Sequence, residues 1–244
     1  MTETVLVFGA SGNVGIAAVI GALRAKRNVL AIVRNQATAE KIFKYVGTRE
    51  GITTVEADIN SEESIKGVID QVRAGKLPSF QHVWASPGYA YAGGSIVEVG
   101  LSGFHESMAA NIDTYIIAYV ATIPYLLEQG YAGSSWMMCT GTQGELGLWA
   151  APALTQGALF SFAISAAREL EDTPVRFNEV LLGYRVQQEV PPGVTTFQGI
   201  VPMTTSIDFA PLYEQLIDRK DIKGSRVRVD SPKDVADLKF EKRF

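Results

Sequence analysis

Residues 5–15 read VLVFGASGNVG, an apolar strand pattern that passes through a glycine-rich turn into a helix pattern. Gly9 permits the tight turn, Gly12 lets the backbone approach a phosphate group, and Gly15 allows the helix to pack closely on the strand. The first amides of the helix then offer hydrogen-bond donors and the positive end of the helix dipole. The stretch therefore predicts a dinucleotide site, with a purely structural turn as the alternative.

The rest of the chain repeats this alternation of strand and helix. Strand patterns lie at 4–8, 29–33, 52–56, 82–85, 135–139, 176–182 and 225–229, and helix patterns at 14–26, 38–46, 62–72, 104–127, 153–170 and 209–219. Near-continuous apolar strands separated by helices are typical of a parallel sheet covered on both faces. We therefore predict an α/β fold with a doubly wound, Rossmann-like parallel sheet, in a single domain over residues 1–244.

One stretch breaks the alternation. Residues 187–206 contain Pro191-Pro192-Gly193 and have no clear hydrophobic period. A long loop in a compact domain is often functional. We interpret 187–206 as a substrate lid, with a disordered segment as the alternative.

Composition narrows the possible partners. The net charge is −4 and no dense Lys/Arg run occurs, which argues against nucleic acid and favours a small-molecule substrate. Cys139 is the only cysteine, so we expect a reducing compartment and a cytoplasmic protein. We expect no membrane partner, because no basic segment precedes the first apolar stretch and no run approaches the length of a membrane span. His82 and His105 lack ligand partners at metal-site spacing, so no metal is expected.

The end of the second strand indicates which nucleotide is bound. Arg34 stands where NAD-selective proteins usually carry an acid for the ribose 2′-hydroxyl. A guanidinium suits a 2′-phosphate, which favours NADP(H), although an exposed, solvated arginine is the alternative. Ser11 and Asn35 can add hydrogen bonds. Asp58 can lie at the adenine edge or cap the next helix.

In the order of its segments, nearly the whole chain resembles the short-chain dehydrogenase/reductase superfamily. Its glycine spacing is more like that of the extended and atypical branches, and the sequence looks similar to uncharacterised fungal members, some of whose relatives act in secondary metabolism. Residues 85–88 (Ala-Ser-Pro-Gly) stand where the family commonly has Asn-Asn-Ala-Gly, and 176–183 resemble the strand and turn that hold the nicotinamide. The motif and the resemblance together give as cofactor-binding candidates Gly9, Ser11, Gly12, Asn13, Val14, Gly15, Arg34, Asn35, Asp58, Ile59, Ser86, Gly88, Asn111 and Gly183.

The catalytic motif is where the sequence departs from the family pattern. The family has a Ser after the fifth strand and a Tyr-x-x-x-Lys on the next helix, where the Tyr exchanges a proton and the Lys lowers its pKa and holds the ribose. The alignment places Pro152 at the Tyr position and Gln156 at the Lys position. Gly141 falls at the Ser position, with Thr140 and Thr142 on either side. The usual general acid is therefore missing.

By resemblance, Asn111 matches the asparagine that supports a water relay. This leaves Asn111, Thr140, Thr142 and Gln156 as the catalytic candidates. A different residue could supply the proton, and the candidates for that role are Tyr89, Tyr91, Glu145 and Tyr184.

Two functions remain open. The first is an NADP(H)-dependent oxidoreductase that reduces a small organic carbonyl or an iminium, which needs no proton, with Gln156 holding the ribose through uncharged hydrogen bonds. The second is a non-redox protein that binds NADP(H), as a cyclase, an isomerase or a regulator that senses the cofactor. The first predicts NADPH oxidation with the right acceptor, and the second predicts tight binding without turnover.

The helices at 104–127 and 153–170 are apolar over wide arcs. The resemblance implies a homodimer through these helices, because family members commonly form a four-helix interface there. Burial of both helices against the sheet is the alternative.

Overall fold

A computed structural model of the chain describes residues 2–88, 93–197, 199 and 201–243. The seven predicted strands are confirmed within a residue or two, and four further short strands follow the sixth one along the chain. The strands are β1 (Thr4–Phe8), β2 (Asn28–Val33), β3 (Ile52–Glu56), β4 (His82–Ala85), β5 (Ser135–Gly141), β6 (Arg176–Leu182), β7 (Arg185–Gln187), β8 (Thr196–Phe197), β9 (Val201–Thr205), β10 (Ser225–Val229) and β11 (Lys239–Lys242).

Eight strands form one sheet in the order β11-β10-β6-β5-β4-β1-β2-β3. All neighbours pair in parallel except β11, which runs antiparallel to β10 at the edge. The predicted doubly wound parallel sheet in a single domain is therefore confirmed. The order reverses between β1 and β4, and in such folds the ligand crevice opens at that point, beyond the carboxyl ends of the strands.

Helices cover both faces of the sheet. On β1, Val5 and Val7 point into a core shared with α1, α2 and α8, whereas Leu6 and Phe8 point into the opposite core under α3, α5 and α7. The helices are α1 (Asn13–Arg24), α2 (Gln36–Val46), α3 (Glu62–Arg73), α4 (Ile96–Met108), α5 (Thr114–Gln129), α6 (Gln143–Leu146), α7 (Ala150–Glu169) and α8 (Ser206–Leu216).

The single helix predicted over 104–127 is wrong in its extent. Helical structure already begins at Ile96, breaks at Gly100 (φ 58°), and passes through one π-helical turn, Ala109–Asp113, before α5 starts. Gly130, in the left-handed region, ends α5. The early start was missed because Gly100 interrupts the helical period.

The predicted loop at 187–206 is also wrong in part. Strands β7, β9 and β8 form a second, three-stranded sheet, in which β8 and β9 are an antiparallel pair. Its base is fixed to the glycine-rich turn: Gln188 Nε2 donates to the Ser11 carbonyl at 3.0 Å, and Ser206 Oγ donates to the Asn13 carbonyl at 2.7 Å. Residues 198 and 200 lie outside the described part of the chain.

One helix differs from the expectation about membrane spans. Among the described residues, α7 has 20 residues and contains an 18-residue stretch with a mean hydropathy of 1.2, so by length and composition alone it could cross a membrane. Its face with Leu159, Ala163 and Ala166 is buried in the core under the sheet. The apolar character of that face therefore has a packing explanation.

Candidate active site

Two positions in the turn between β1 and α1 accept only glycine. Gly9 has φ +73°, and a Cβ there would lie 2.5 Å from the Ser86 carbonyl oxygen. A Cβ on Gly15 would lie 2.0 Å from the Gly9 carbonyl oxygen. Gly12 donates to Gly9 O at 2.9 Å and is the N-cap of α1, where no side chain caps the helix. The first amides of α1 therefore face a space that suits a phosphate group.

A first cleft of about 240 Å³ opens beside this turn. Two basic residues line it, Arg34 at the end of β2 and Lys41 on α2. Lys41 was missed in the sequence because only the packing of α2 brings it beside Arg34. The remaining lining residues are Gly9, Ser11, Gly12, Ile32, Val33, Ala57, Asp58, Ile59, Asn60, Ser86, Pro87 and Gly88.

Two polar candidates near Arg34 have specific local roles. Asn35 is the N-cap of α2, its Oδ1 accepting from Thr38 N at 3.0 Å, and it does not line the cleft. Asp58 does line the cleft and does not cap α3, because Ser61 is that cap. Hydrogen bonds from Asn60 and the charge of Arg34 hold the pKa of Asp58 below its usual value. Asp58 is therefore a charged acceptor at this end of the groove.

A second cleft of about 450 Å³ continues from the first. The two clefts share Gly12, Ser86, Pro87 and Gly88, so they form one groove along the carboxyl ends of the strands. The second cleft is further lined by Asn13, Val14, Asn111, Tyr115, Cys139, Thr140, Gly141, Gln143, Trp149, Pro152, Gln156, Leu182, Tyr184, Arg185 and Val186.

Two candidate cofactor residues support the groove without lining it. Gly15 lies under the turn, as its close approach to Gly9 requires. Gly183 packs against β10, where a Cβ would meet Asp230 at 2.8 Å, and its amide donates to Val229 O. Both are glycines because another backbone comes too close for a side chain.

Pro152 and Gln156 lie four residues apart on α7, and both line the second cleft. Gln156 is 8% exposed, and its Oε1 accepts from Gly141 N at 2.6 Å. The three residues aligned with the family's Ser, Tyr and Lys are therefore brought together at one place. None of the three carries an ionisable group.

Thr140 and Thr142 differ in position. Thr140 lines the cleft, but its hydroxyl donates to Glu179 Oε1 at 2.6 Å. Glu179 is paired in turn with Arg226, at 2.8 Å, in a buried ion pair between β6 and β10. Thr142 lies outside the cleft lining and precedes α6, where its carbonyl accepts from Glu145 N. Of the two threonines, only Thr140 reaches the site.

Asn111 occupies the π-helical turn and is 2% exposed. Its Nδ2 donates to the Ser107 carbonyl at 2.9 Å. A Cβ on Gly88 would lie 2.5 Å from Asn111 Oδ1, so Gly88 allows the asparagine to approach the β4 end. A widened helical turn at a functional position is a common use of the π-helix.

The other groups that could donate a proton are held in different ways. The Tyr115 hydroxyl donates to the Cys139 carbonyl at 2.6 Å. The Tyr184 hydroxyl is buried with no hydrogen-bond partner among the described residues, and burial raises its pKa. Burial also raises the pKa of the Cys139 thiol to about 12. Glu145 does not line the cleft and pairs with Arg226 and Arg228. Tyr89 and Tyr91 lie outside the described residues.

Comparisons with known proteins agree with this architecture. The family model described as short chain dehydrogenase matches residues 3–188. The short-chain dehydrogenase/reductase iacG of Pestalotiopsis fici is 46% identical over 243 residues, covering 99% of this chain and 96% of that protein. Among solved structures, ElxO with NADP bound has a TM-score of 0.80 at 16% identity, covering 97% of this chain and 100% of ElxO. A short-chain type dehydrogenase/reductase from Mycobacterium ulcerans has a TM-score of 0.79 at 17% identity, covering 98% and 92%.

Proposed function

The chain belongs to the short-chain dehydrogenase/reductase family, and from this premise we propose that it is an NADP(H)-dependent oxidoreductase that acts on a small organic carbonyl or iminium compound without the usual Tyr/Lys acid. One observation carries the proposal. A continuous groove runs from Arg34 to Pro152 and Gln156, along the carboxyl ends of the parallel strands.

The first cleft would hold the adenosine end of the cofactor. The uncapped start of α1 suits the pyrophosphate, and the backbone without side chains at Gly9 and Gly88 suits a ligand that lies close to it. Arg34 and Lys41 supply positive charge for a 2′-phosphate. In support, solved structures of ElxO and of a variant of it hold NADP and NADPH. When bound, NADPH supplies a hydride.

The second cleft would hold the substrate. Asn111, Thr140 and Gln156 offer hydrogen-bonding groups there, and Gln156 is neutral where a cation would assist a tyrosine. General acids typically contribute about 10²–10⁴-fold to such reactions. We therefore expect the preferred substrate to be one whose reduction depends little on a general acid. A conjugated carbonyl or an iminium is a substrate of this kind.

Binding and turnover of the nicotinamide nucleotides test this function. We expect wild-type protein to bind NADPH more tightly than NADH by calorimetry, and Arg34→Gln to lose most of that preference. We also expect NADPH oxidation, followed by absorbance, with at least one member of a panel of ketones, enones and iminium salts. Tight binding of NADPH with no turnover across the panel would support the non-redox cyclase, isomerase or sensor instead.

We also propose a homodimer through α5 and α7. Ile116, Val120 and Leu127 are exposed on one face of α5. Exposed residues of α7 before its charged end include Leu154 and the small residues Ala158, Ser161 and Ser165, which allow close helix packing. Light scattering after size exclusion should give twice the 26.4 kDa chain mass, and Ser161→Arg should give the monomer. Cytoplasmic localisation and a role in secondary metabolism remain predictions.

A further inference from the structure

Arg185 is the only charged residue among the described residues that line the second cleft. It lies on β7, two residues after Gly183, at the base of the three-stranded sheet. The side chain is exposed, and it was missed in the sequence analysis although it follows the turn that resembles the nicotinamide-binding one. Arg185 therefore supplies the positive charge in the second cleft.

The guanidinium of Arg185 has no acidic partner within the described part of the chain. Its Cζ lies 4.0 Å from the centre of the Phe197 ring, which holds one face of the guanidinium against an apolar surface. A guanidinium stacked in this way keeps its N–H groups around its edge for a planar oxyanion. By contrast, Arg226 and Arg228 are both paired with carboxylates.

Arg34 is the corresponding arginine at the other end of the groove. It too enters no ion pair with the residues that the structure describes, and it lines the first cleft. The groove therefore presents one unpaired arginine in each half. If Arg34 serves a phosphate of the cofactor, Arg185 is left for an anion on the second ligand.

The other residues that line the second cleft indicate the kind of ligand that it would bind. Tyr115, Trp149 and Pro152 present aromatic and apolar surface, and no carboxylate is among the described lining residues. A cationic ligand would meet the charge of Arg185 without a compensating acid, so the electrostatics disfavour an iminium. A flat apolar body with one carboxylate satisfies both the surface and the charge.

We propose that Arg185 is a specificity-determining residue, and that the substrate is an aromatic or conjugated carbonyl compound carrying a carboxylate that pairs with its guanidinium. The proposal rests on the proposed function for the statement that the second cleft is the substrate site. It narrows the substrate from any small carbonyl to an organic acid.

Calorimetry with 2-naphthoate and its neutral counterpart 2-naphthamide tests the proposal without any turnover. The full chain is titrated with each probe, alone and with saturating NADP⁺. We expect wild type to bind 2-naphthoate at least about tenfold more tightly than 2-naphthamide, as a charge-assisted hydrogen-bonded pair provides. Arg185→Gln should bring this ratio to about one, and Arg185→Lys should retain part of it.

Two control variants separate the roles of the charges. Arg228→Gln, which removes an arginine outside the cleft lining, should leave the naphthoate preference unchanged. Arg34→Gln should weaken NADP⁺ relative to NAD⁺ and also leave the naphthoate preference unchanged. Thermal melts check that each variant is folded. If Arg185→Gln is destabilised, Arg185→Lys with the melting temperature of wild type still tests whether the shape of the guanidinium contributes to the naphthoate preference.

The proposal is overturned if 2-naphthoate and 2-naphthamide bind equally or not at all, or if Arg185→Gln keeps the preference. It is also overturned if Arg185→Gln weakens NADP⁺ and NAD⁺ alike and leaves 2-naphthoate unchanged, because Arg185 would then serve the pyrophosphate. Failure of wild type to bind NADP⁺ would instead remove the proposed function, while the naphthoate ratio of the unliganded protein would still decide the role of Arg185.

Discussion

Gln156 Oε1 accepts a hydrogen bond of 2.6 Å from the Gly141 amide and so ties the end of β5 to α7. These are the positions at which the alignment with the family leads one to expect Lys and Ser. The amide oxygen stabilises a backbone donor at the cleft wall, which a lysine side chain cannot do because it has no acceptor. The site is therefore held together by a contact that the usual motif does not provide.

Removing this acceptor should destabilise the protein. We expect Gln156→Ala to lower the free energy of unfolding by about 1–3 kcal/mol, because the Gly141 amide loses its partner. Gln156→Glu keeps an acceptor oxygen and should cost less. Urea denaturation of both variants measures the difference, and an equal loss in both would show that this hydrogen bond is not the cause.

Restoring the motif should create ordinary ketone reduction. In Pro152→Tyr/Gln156→Lys, a phenol and an ammonium group stand where the family has them, and we expect the rate with simple ketones to rise by about 10²-fold or more. NADPH oxidation measures this, with Pro152→Tyr alone as the control. If wild type already reduces simple ketones as fast as the double variant, the missing acid has no functional consequence.

The packing at Gly15 should tolerate no side chain. Its Cβ would lie 2.0 Å from the Gly9 carbonyl oxygen, so we expect Gly15→Ala to cost about 3 kcal/mol or more and to weaken nucleotide binding. The matched control is Gly67→Ala on α3, where a Cβ meets nothing within 4 Å. That change should stabilise by about 0.5–1 kcal/mol. Melting temperatures that fall together in both variants would contradict this account.

Breaking the buried ion pair of Glu179 and Arg226 should lower the free energy of unfolding more than breaking an exposed pair. Both side chains are almost fully buried, so Glu179→Ala would leave Arg226 in the core with only the partly exposed Glu145 as its acidic partner, at a cost of about 3 kcal/mol. Asp221→Ala removes the partner of Arg219 at the surface and should leave the free energy of unfolding nearly unchanged, because solvent screens an exposed pair. Urea denaturation compares the two, and similar small losses would mean that solvent reaches the buried pair.

Acid should destabilise the protein through His82. Burial lowers the pKa of this histidine from 6.5 to about 4, so the unfolded chain takes up a proton at a higher pH than the folded one. The free energy of unfolding should therefore fall by up to about 3 kcal/mol as the pH drops from 7 to 4. His82→Asn, which can still bond to Ser135, should remove that part of the slope. An unchanged slope in this variant would assign the effect to other groups, such as Glu3.

The sequence by itself determined the parallel sheet and the glycine-rich turn, and it predicts that the usual acid is absent. These depend on local signals: the strand and helix periods, the glycines forced by close backbone approach at Gly9 and Gly15, and the identity of residues 152 and 156. Such signals are contained in short stretches of the sequence, because hydrophobic periodicity and backbone strain depend on residues only a few positions apart.

Only the tertiary structure decided how distant residues share the groove. Lys41 joins Arg34 because α2 packs beside β2, and Asn35 is taken up in capping that helix. Arg185 stacks on Phe197, with no acidic partner among the described residues, because the residues after 187 fold into a small sheet where the sequence pattern indicated a loop. The Thr140 hydroxyl donates to Glu179 on the next strand, which lies 39 residues further along the chain. Ion pairs and the walls of a cleft depend on contacts between segments far apart in the chain. The hydrophobic period of a single segment therefore does not predict them.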